Sequence, residues 1–254
     1  MLERSRLLRI AHRGASGQCP ENTRAAFLRA IELGADMVEL DCQATCDGAV
    51  VVIHDETLDR TTTGRGRVRG HTLKEIKALE AGSWFAREFA GEEVLTLDEA
   101  IEILRGRVEL NLEIKGDDSP GRLEIHCVGI VRSLRFVERT VFSSFSPPRM
   151  RLVRDLAEDA RIGVLMDSGA SWNEGFALAA ELDAEALHPE RSLVDRRAVV
   201  EAHRRGLEVR VWTANRPSEI ESLAALGVDG IFTDFPERLL RVRGGRAPVG
   251  GQGK

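Results

Sequence analysis

Three acidic side chains lie at the ends of apolar stretches that have the pattern of β-strands. Glu39 and Asp41 are two residues apart in Met-Val-Glu-Leu-Asp, and Glu113 lies in Glu-Leu-Asn-Leu-Glu-Ile-Lys. Side chains two apart on a strand share a face, so Glu39 and Asp41 would repel each other in apolar surroundings. Mg²⁺ or Ca²⁺ would remove that repulsion, since both prefer carboxylate oxygens. The sequence therefore predicts a metal site of Glu39, Asp41 and Glu113, with carboxylates paired to basic side chains as the alternative.

Two histidines also follow strand-like stretches. His12 follows Leu-Leu-Arg-Ile-Ala, and His54 follows Val-Val-Val-Ile. Imidazole can accept or donate a proton near neutral pH, so the pair could serve as a general base and a general acid. A structural role is the alternative for each of them. His188 ends another strand-like stretch and could line the same site.

Basic and aromatic side chains accompany these groups. Lys115 is two residues beyond Glu113 and should share its face of the strand, and Arg13 follows His12. Either cation could hold a phosphate oxygen or could instead neutralise the carboxylates. Trp212 ends the stretch Glu-Val-Arg-Val-Trp. Its ring could pack against the apolar side of a small substrate or cover the protein core.

The elements that must position these groups alternate between short apolar and longer amphipathic stretches. Strands are predicted over residues 7–11, 37–40, 108–114, 140–142, 162–165, 184–187, 208–211 and 230–232, and helices over 23–33, 123–134, 148–158, 195–205 and 218–226. Eight strands alternating with helices in 254 residues favour an α/β fold, the TIM (β/α)8 barrel. An extra strand over 48–54 and a small insertion over about 56–93 follow the second strand. We expect the insertion to cover one end of the barrel.

The remaining segments are predicted from composition and turn chemistry. Residues 1–241 are expected to form one barrel domain, and the basic, glycine-rich residues 242–254 a disordered tail. Asn22-Thr23, and Asp234 together with Glu237, are typical of helix N-caps.

Charge and hydropathy exclude several classes of function. The net charge is −5, and residues 241–254 contain four basic residues and no acid, so the rest of the chain carries −9. An acidic body disfavours a nucleic-acid partner. No stretch approaches the roughly 18 apolar residues of a membrane-spanning helix, and the charged N-terminus lacks a signal-peptide pattern. We expect a cytoplasmic protein without stable membrane insertion. The oligomeric state stays open.

Ordered motifs over about residues 8–241 resemble the glycerophosphodiester phosphodiesterases. Each motif is weak alone, but their order and spacing together are specific. The motifs are His12-Arg13-Gly14, Pro20-Glu21-Asn22-Thr23, Glu39-x-Asp41, Asp47-Gly48, His54-Asp55, Arg60-Thr61-Thr62, Leu95-Thr96-Leu97-Asp98-Glu99, Asn111-x-Glu113-Ile-Lys115, Phe142-x-x-Phe145, Val211-Trp212-Thr213 and Gly230-x-x-Thr233-Asp234.

This resemblance implies a TIM barrel that hydrolyses a small glycerophosphodiester to sn-glycerol 3-phosphate and an alcohol. It implies that Glu39, Asp41 and Glu113 hold one divalent cation, Mg²⁺ or Ca²⁺. It further implies that the two histidines perform acid–base catalysis, and that Arg13 and Lys115 contact phosphate. Attack by a glycerol hydroxyl would give a cyclic phosphate that water then opens. Direct attack by water is the alternative.

Two other functions fit parts of the pattern. A lysophospholipase D would use the same chemistry on a single-chain lipid and would need an apolar surface. A phosphodiester-binding barrel without catalysis is disfavoured by the full set of histidines and carboxylates. The insertion supplies six apolar residues, most of which we expect to form its own core: Leu73, Ile76, Leu79, Trp84, Phe85 and Phe89.

Overall fold

The computed structural model describes residues 6–116 and 120–241. Strands and helices alternate along this part of the chain, which contains nine strands and eight α-helices. Their order is β1 (Leu8–Ala11), α1 (Arg24–Glu32), β2 (Met37–Ala44), β3 (Val50–Val52), α2 (Leu73–Ile76), α3 (Leu97–Leu104), β4 (Glu109–Ile114), α4 (Arg122–Ser133), β5 (Thr140–Ser144), α5 (Pro147–Leu156), β6 (Arg161–Met166), α6 (Trp172–Glu181), β7 (Ala186–Pro189), α7 (Arg196–Arg204), β8 (Glu208–Val211), α8 (Pro217–Leu226) and β9 (Gly230–Thr233).

Eight of the strands form a closed parallel barrel. They pair in the order β1, β9, β8, β7, β6, β5, β4, β2, and β2 pairs again with β1. A short antiparallel strand, β3, pairs with β2 outside the barrel, through contacts such as that of Cys42 with Val52. The predicted TIM barrel and its extra strand are thus confirmed. Because every barrel strand runs in the same direction, the residues that follow the strands meet at one end.

Apolar side chains pack both inside and outside the barrel. Ile10, Met37, Val141 and Phe232 form a cluster inside it, and a larger cluster fills the layer between strands and helices. His12 and Glu39 lie two residues beyond Ile10 and Met37 along the strands. Because side chains two apart share a face, these polar groups also point to the barrel axis, one layer closer to the open end.

Side-chain caps begin most of the helices that surround the barrel. Thr23 caps α1 and Asp195 caps α7, while Thr96 and Ser171 begin α3 and α6 with complete capping boxes. The boxes at Thr96 and Ser171 mark two helices beyond those predicted from hydropathy. None of the helices in the described residues is long and apolar enough to cross a membrane.

The insertion after β3 forms a small core of its own against the barrel. Ile76 and Val68 are buried with Val51 of β3, and Leu73 and Leu79 pack against them. The main-chain N–H of Ala25 donates a hydrogen bond to the Glu92 carboxylate (3.2 Å), which holds the insertion to the start of α1. Because α1 follows β1, the insertion lies at the carboxyl end of the barrel strands.

Two aromatic side chains of the insertion depart from the prediction of a buried core. Trp84 and Phe85 are 39% and 36% exposed, respectively, and Phe85 packs edge-on between the rings of Trp84 and Phe89. The spacing of these residues resembles helix periodicity, but they lie in a loop, so their side chains do not share the face of Ile76. The predicted disordered tail, residues 242–254, lies outside the described residues.

Candidate active site

The three predicted carboxylates converge at the carboxyl end of two neighbouring strands. β2 and β4 pair with Asp41 opposite Glu113, and Glu39 shares the face of Asp41. One oxygen from each of these side chains lies within 4.8 Å of the others, and all three residues are buried. The spacing of the sequence therefore brings the carboxylates together as expected.

Two basic side chains lie against these carboxylates. Lys115 Nζ is 3.2 Å from Asp41 Oδ1 and also contacts Glu113, while Arg13 Nε is 3.3 Å from Asp41 Oδ2. Burial would raise the pKa of Asp41, but the charges of Lys115 and Arg13 outweigh it and hold that pKa low. Burial and the charge of Asp41 raise the pKa of both Glu39 and Glu113.

The donor set of this cluster fits a divalent cation. Glu39 Oε1 is a buried oxygen without a hydrogen-bond donor, and the buried oxygens Asp41 Oδ1 and Glu113 Oε1 share the single ammonium of Lys115. Buried polar atoms normally have partners, so a buried carboxylate oxygen without one, beside two carboxylates that share one lysine, is unusual. The two positive side chains, Lys115 and Arg13, do not balance three carboxylates, so the cluster stays negative. A set of oxygen ligands alone suits Mg²⁺ or Ca²⁺. Both alternatives weighed from the sequence, a metal site and carboxylates paired with basic groups, are therefore compatible with the geometry.

His12, which follows β1, forms a pair with Asp234, which follows the neighbouring strand β9. Its Nδ1 lies 2.7 Å from Asp234 Oδ1, and the Asn215 amide donates to the other carboxylate oxygen at 2.6 Å. The Ser16 hydroxyl lies 3.1 Å from the same carboxylate. Burial would lower the pKa of His12, but the bond to Asp234 and the charge of Glu39 outweigh it, and the pKa is raised.

His54 forms a second pair with its own neighbour in the chain. Its Nδ1 lies 2.7 Å from Asp55 Oδ1, and the Arg60 guanidinium donates to both oxygens of that carboxylate. Burial, with the charges of Arg13 and Lys115, outweighs the charge of Asp41 and the bond to Asp55 and lowers the pKa of His54. The two histidines thus have opposite pKa shifts.

An inner chamber and an outer cleft meet between these groups. The chamber, of about 90 Å³, is lined by both histidines together with Glu39, Glu113 and Lys115. The cleft, of about 630 Å³, begins at His54, Glu113 and Lys115 and is open to solvent. A molecule that extends from the cleft into the chamber would therefore pass His54 and Glu113 at the junction and reach His12 and Glu39 inside the chamber.

Two aromatic rings form the apolar wall of the chamber. Trp212 packs edge-on against Phe145, with ring centroids 5.5 Å apart, and both line the chamber. The Trp212 indole donates to the main-chain oxygen of His188 at 2.7 Å, which fixes the orientation of its ring. Trp212 also packs against the cluster inside the barrel, so it lines the site and covers the core.

His188 lies deeper than the sequence indicated. It is fully buried against Phe232, and its ring fills the space above Gly163, where an added Cβ would lie 2.2 Å from Cε1. It does not line the chamber. Its position at the end of a strand-like stretch therefore marked a packing residue, which supports Trp212 through its main-chain oxygen.

Two residues predicted as helix caps have other partners. Asn22 is buried with φ of +60°, and its amide donates to Asp41 Oδ2 at 2.9 Å, while Thr23 alone caps the helix. Asp234 binds His12 and Asn215 rather than a helix end. The position of Asp234 directly after the last strand could have indicated its contact with His12, because closure of the barrel places that strand beside β1.

The chain is similar to known proteins over most of its length. Residues 12–238 match the model of the glycerophosphoryl diester phosphodiesterase family. A glycerophosphodiester phosphodiesterase of Caldanaerobacter subterraneus is 43% identical over 236 residues, which cover 92% of this chain and 96% of that protein.

Solved structures show the same likeness. A phosphodiesterase of Oleispira antarctica in complex with the product sn-glycerol-3-phosphate is 33% identical, with a TM-score of 0.80, covering 91% of this chain and 94% of that one. A glycerophosphodiester phosphodiesterase of Agrobacterium tumefaciens is 34% identical, with a TM-score of 0.82, covering 93% of this chain and all of that one.

Proposed function

Because the chain belongs to the glycerophosphoryl diester phosphodiesterase family, we propose that it hydrolyses glycerophosphodiesters to sn-glycerol 3-phosphate and an alcohol. The observation that supports this most directly is that His12, His54, Glu39 and Glu113 line one chamber, with an aspartate paired to each histidine and Asp41 grouped with the two glutamates. The likeness to a structure that holds sn-glycerol-3-phosphate agrees with it.

Glu39, Asp41 and Glu113 are the residues that would hold a divalent cation, Mg²⁺ or Ca²⁺. When bound, such a cation neutralises charge on the phosphate and lowers the pKa of a nearby hydroxyl. Arg13 and Lys115 line the same chamber, and their charges would hold the oxygens of the phosphate. A bound substrate phosphate would then share Arg13 and Lys115 with the carboxylates that these two side chains contact in the structure.

The histidines would move the protons of the reaction. One imidazole takes the proton of the attacking hydroxyl as its oxygen bonds to phosphorus, and the other gives a proton to the alcohol oxygen as its bond to phosphorus breaks. If the attacking group is a glycerol hydroxyl, the product is a cyclic phosphate. Water then attacks its phosphorus, and the ring bond from phosphorus to the glycerol 2-oxygen breaks, which gives sn-glycerol 3-phosphate. If water attacks directly, that product forms in one step.

A substrate analogue separates these two routes. A glycerophosphodiester that lacks the glycerol 2-hydroxyl cannot form the five-membered cyclic phosphate. The cyclic route predicts no turnover of this analogue, and a transient cyclic product from the normal substrate in ³¹P NMR. Full turnover of the analogue without any cyclic species would establish direct attack by water.

A panel of substrates tests the proposed activity. The protein is assayed with glycerophosphodiesters of choline, ethanolamine, inositol and glycerol, first in EDTA and then with Mg²⁺ or Ca²⁺ restored. We expect release of sn-glycerol 3-phosphate that EDTA abolishes and one of the cations restores. Failure to turn over any member of the panel with either cation would contradict the proposal.

A lysophospholipase D activity is the second candidate, and the exposed aromatic side chains favour it. Trp84 and Phe85 lie on the insertion, at the end of the barrel where the chamber opens. Exposed aromatic rings are suited to a lipid surface, and the indole of Trp84 also has a polar N–H. Comparing the turnover of glycerophosphocholine with that of lysophosphatidylcholine decides between the two. We expect the first substrate to be preferred because the chamber, of about 90 Å³, is small.

A further inference from the structure

We infer that Arg60, a residue of the insertion, is a positioning residue that orients His54 through the carboxylate of Asp55. This inference rests on the proposed function. Arg60 lines neither the inner chamber nor the outer cleft, so it would act through its neighbours and not by touching substrate.

Arg60 binds two carboxylates at once, each through two nitrogens. Its Nε and Nη2 donate to Asp55 at 2.6 and 2.8 Å, and its Nη1 and Nη2 donate to Glu21 at 2.7 and 2.8 Å. A planar guanidinium in two such forks fixes the plane of both carboxylates. This geometry is far more specific than that of an ordinary surface ion pair.

The Asp55 fork bears directly on His54. The oxygen of Asp55 that receives Arg60 Nη2 is the same Oδ1 that lies 2.7 Å from His54 Nδ1. The hydrogen bond from Arg60, with that of His54, outweighs burial and keeps the pKa of Asp55 low, so its carboxylate stays ionised. An ionised acceptor at Nδ1 holds one tautomer and leaves Nε2 available for proton transfer.

The Glu21 fork joins the insertion to the other half of the site. Glu21 Oε1 accepts from both Arg60 Nη2 (2.8 Å) and Arg13 Nη1 (2.9 Å), and Arg13 in turn lies against Asp41. Side chains of alternating charge therefore run from Asp41 through Arg13, Glu21 and Arg60 to Asp55. Since Arg13 follows β1, this row of ion pairs sets the position of His54 relative to the end of that strand.

The main chain alone does not fix the imidazole. The buried amide of Gln43 donates to the main-chain oxygens of both His54 and Asp55, which holds the backbone there. Side-chain rotation remains, because the side chains of His54 and Asp55 are 31% and 28% exposed. Arg60 is the group that restrains the Asp55 carboxylate, so its removal should misplace the imidazole without displacing the strand.

Three substitutions test the inference on the full-length protein with glycerophosphocholine and the activating cation. Arg60→Ala should lower kcat about a hundredfold with little change in KM, because a small misplacement of a catalytic group has that effect. Arg60→Lys should recover only part of kcat, since an ammonium cannot make two forks. Arg65→Gln, at an exposed arginine of the same insertion, is the matched control and should behave as wild type.

Two further measurements separate positioning from general loss of structure. Millimolar guanidinium should restore kcat of Arg60→Ala but leave Asp55→Asn unchanged, because only the first variant lacks a guanidinium. In a double-mutant cycle, Arg60→Ala should add little to the loss caused by Asp55→Asn. Circular dichroism confirms that each variant is folded.

The inference is overturned if Arg60→Ala keeps more than half of kcat, if its effect lies in KM alone, or if the losses of the two variants multiply. An inactive wild-type protein would instead contradict the proposed function. The two failures are therefore distinguishable.

Discussion

The two histidine–aspartate pairs have nearly the same internal geometry but different surroundings. In both pairs the imidazole Nδ1 lies 2.7 Å from the carboxylate. Asp234 has neutral partners, the Asn215 amide and the Ser16 hydroxyl, whereas the partner of Asp55 is the Arg60 guanidinium. The pair of Asp234 lies at the closure of the barrel, and that of Asp55 lies where the chain enters the insertion.

This difference in surroundings accompanies opposite shifts in pKa. Burial is the largest influence on both rings and lowers the pKa of each, but only at His12 do the neighbouring carboxylates outweigh it. The pKa of His12 is raised and that of His54 lowered, so His12 keeps its proton to higher pH than His54 does. The same residue type can therefore serve as the acid and as the base of one reaction.

The largest expected effect comes from removing either imidazole. His12→Ala and His54→Ala should each lower kcat about 10²- to 10⁴-fold, the usual contribution of general acid–base catalysis. The measurement is steady-state hydrolysis of glycerophosphocholine at saturating cation. If either variant kept more than half of the wild-type rate, the two pairs would not both be catalytic.

The next largest effect is expected at the carboxylates of the proposed metal site, Glu39, Asp41 and Glu113. It is measured as the rise in thermal stability that a bound cation causes. A cation at a hundred times its Kd should stabilise the wild type by about 2.7 kcal/mol. For a chain of this size, that corresponds to a rise in Tm of about 5–10 °C. Glu39→Gln should abolish this rise, whereas Glu88→Gln, an exposed acid of the insertion, should keep it. An unchanged rise in Glu39→Gln would remove that residue from the metal site.

A smaller loss is expected when Asp234 loses its charge. Asp234→Asn should lower kcat between about tenfold and a hundredfold, because the imidazole of His12 is less well held. The raised pKa of His12 keeps it protonated to higher pH, and the variant loses that shift. The alkaline limb of the pH profile of kcat/KM should therefore move to lower pH. A limb in its wild-type position would show that Asp234 does not control the charge of His12.

The smallest effect is expected at the aromatic wall of the chamber, formed by Trp212 and Phe145. Trp212→Leu removes an aromatic surface from the wall of the chamber, and losing a substrate contact worth about 1 kcal/mol lowers affinity roughly fivefold. We expect KM to rise by that factor with kcat little changed, in contrast to the variants of either pair. A large fall in kcat would mean that the ring acts on the reacting groups.

The sequence predicted the barrel and the convergence of the carboxylates because both depend on local regularities. Period-two spacing placed Glu39 and Asp41 on one face, and the parallel strands brought Glu113 to the same depth. The partners of the histidines were harder to predict. Asp234 is 222 residues from His12, and only closure of the barrel makes them neighbours.

Local patterns also misled where a side chain serves a distant partner. Asn22 precedes a helix and looks like a cap, but its buried amide binds Asp41. Arg60 lies in a sequence motif that gave no indication of its role. Its two partners come from the loop that follows β1 and from the residues that follow β3. Such roles depend on tertiary distances that spacing along the chain does not contain.

The central claim is that the two pairs act in opposite roles on one phosphodiester. It is tested most directly by assaying His12→Ala and His54→Ala with a p-nitrophenyl ester of glycerol phosphate, whose phenolate leaves without being protonated. We predict that His12→Ala regains most of the wild-type rate on this ester, whereas His54→Ala does not. Recovery of both variants, of neither, or of His54→Ala alone would contradict the account.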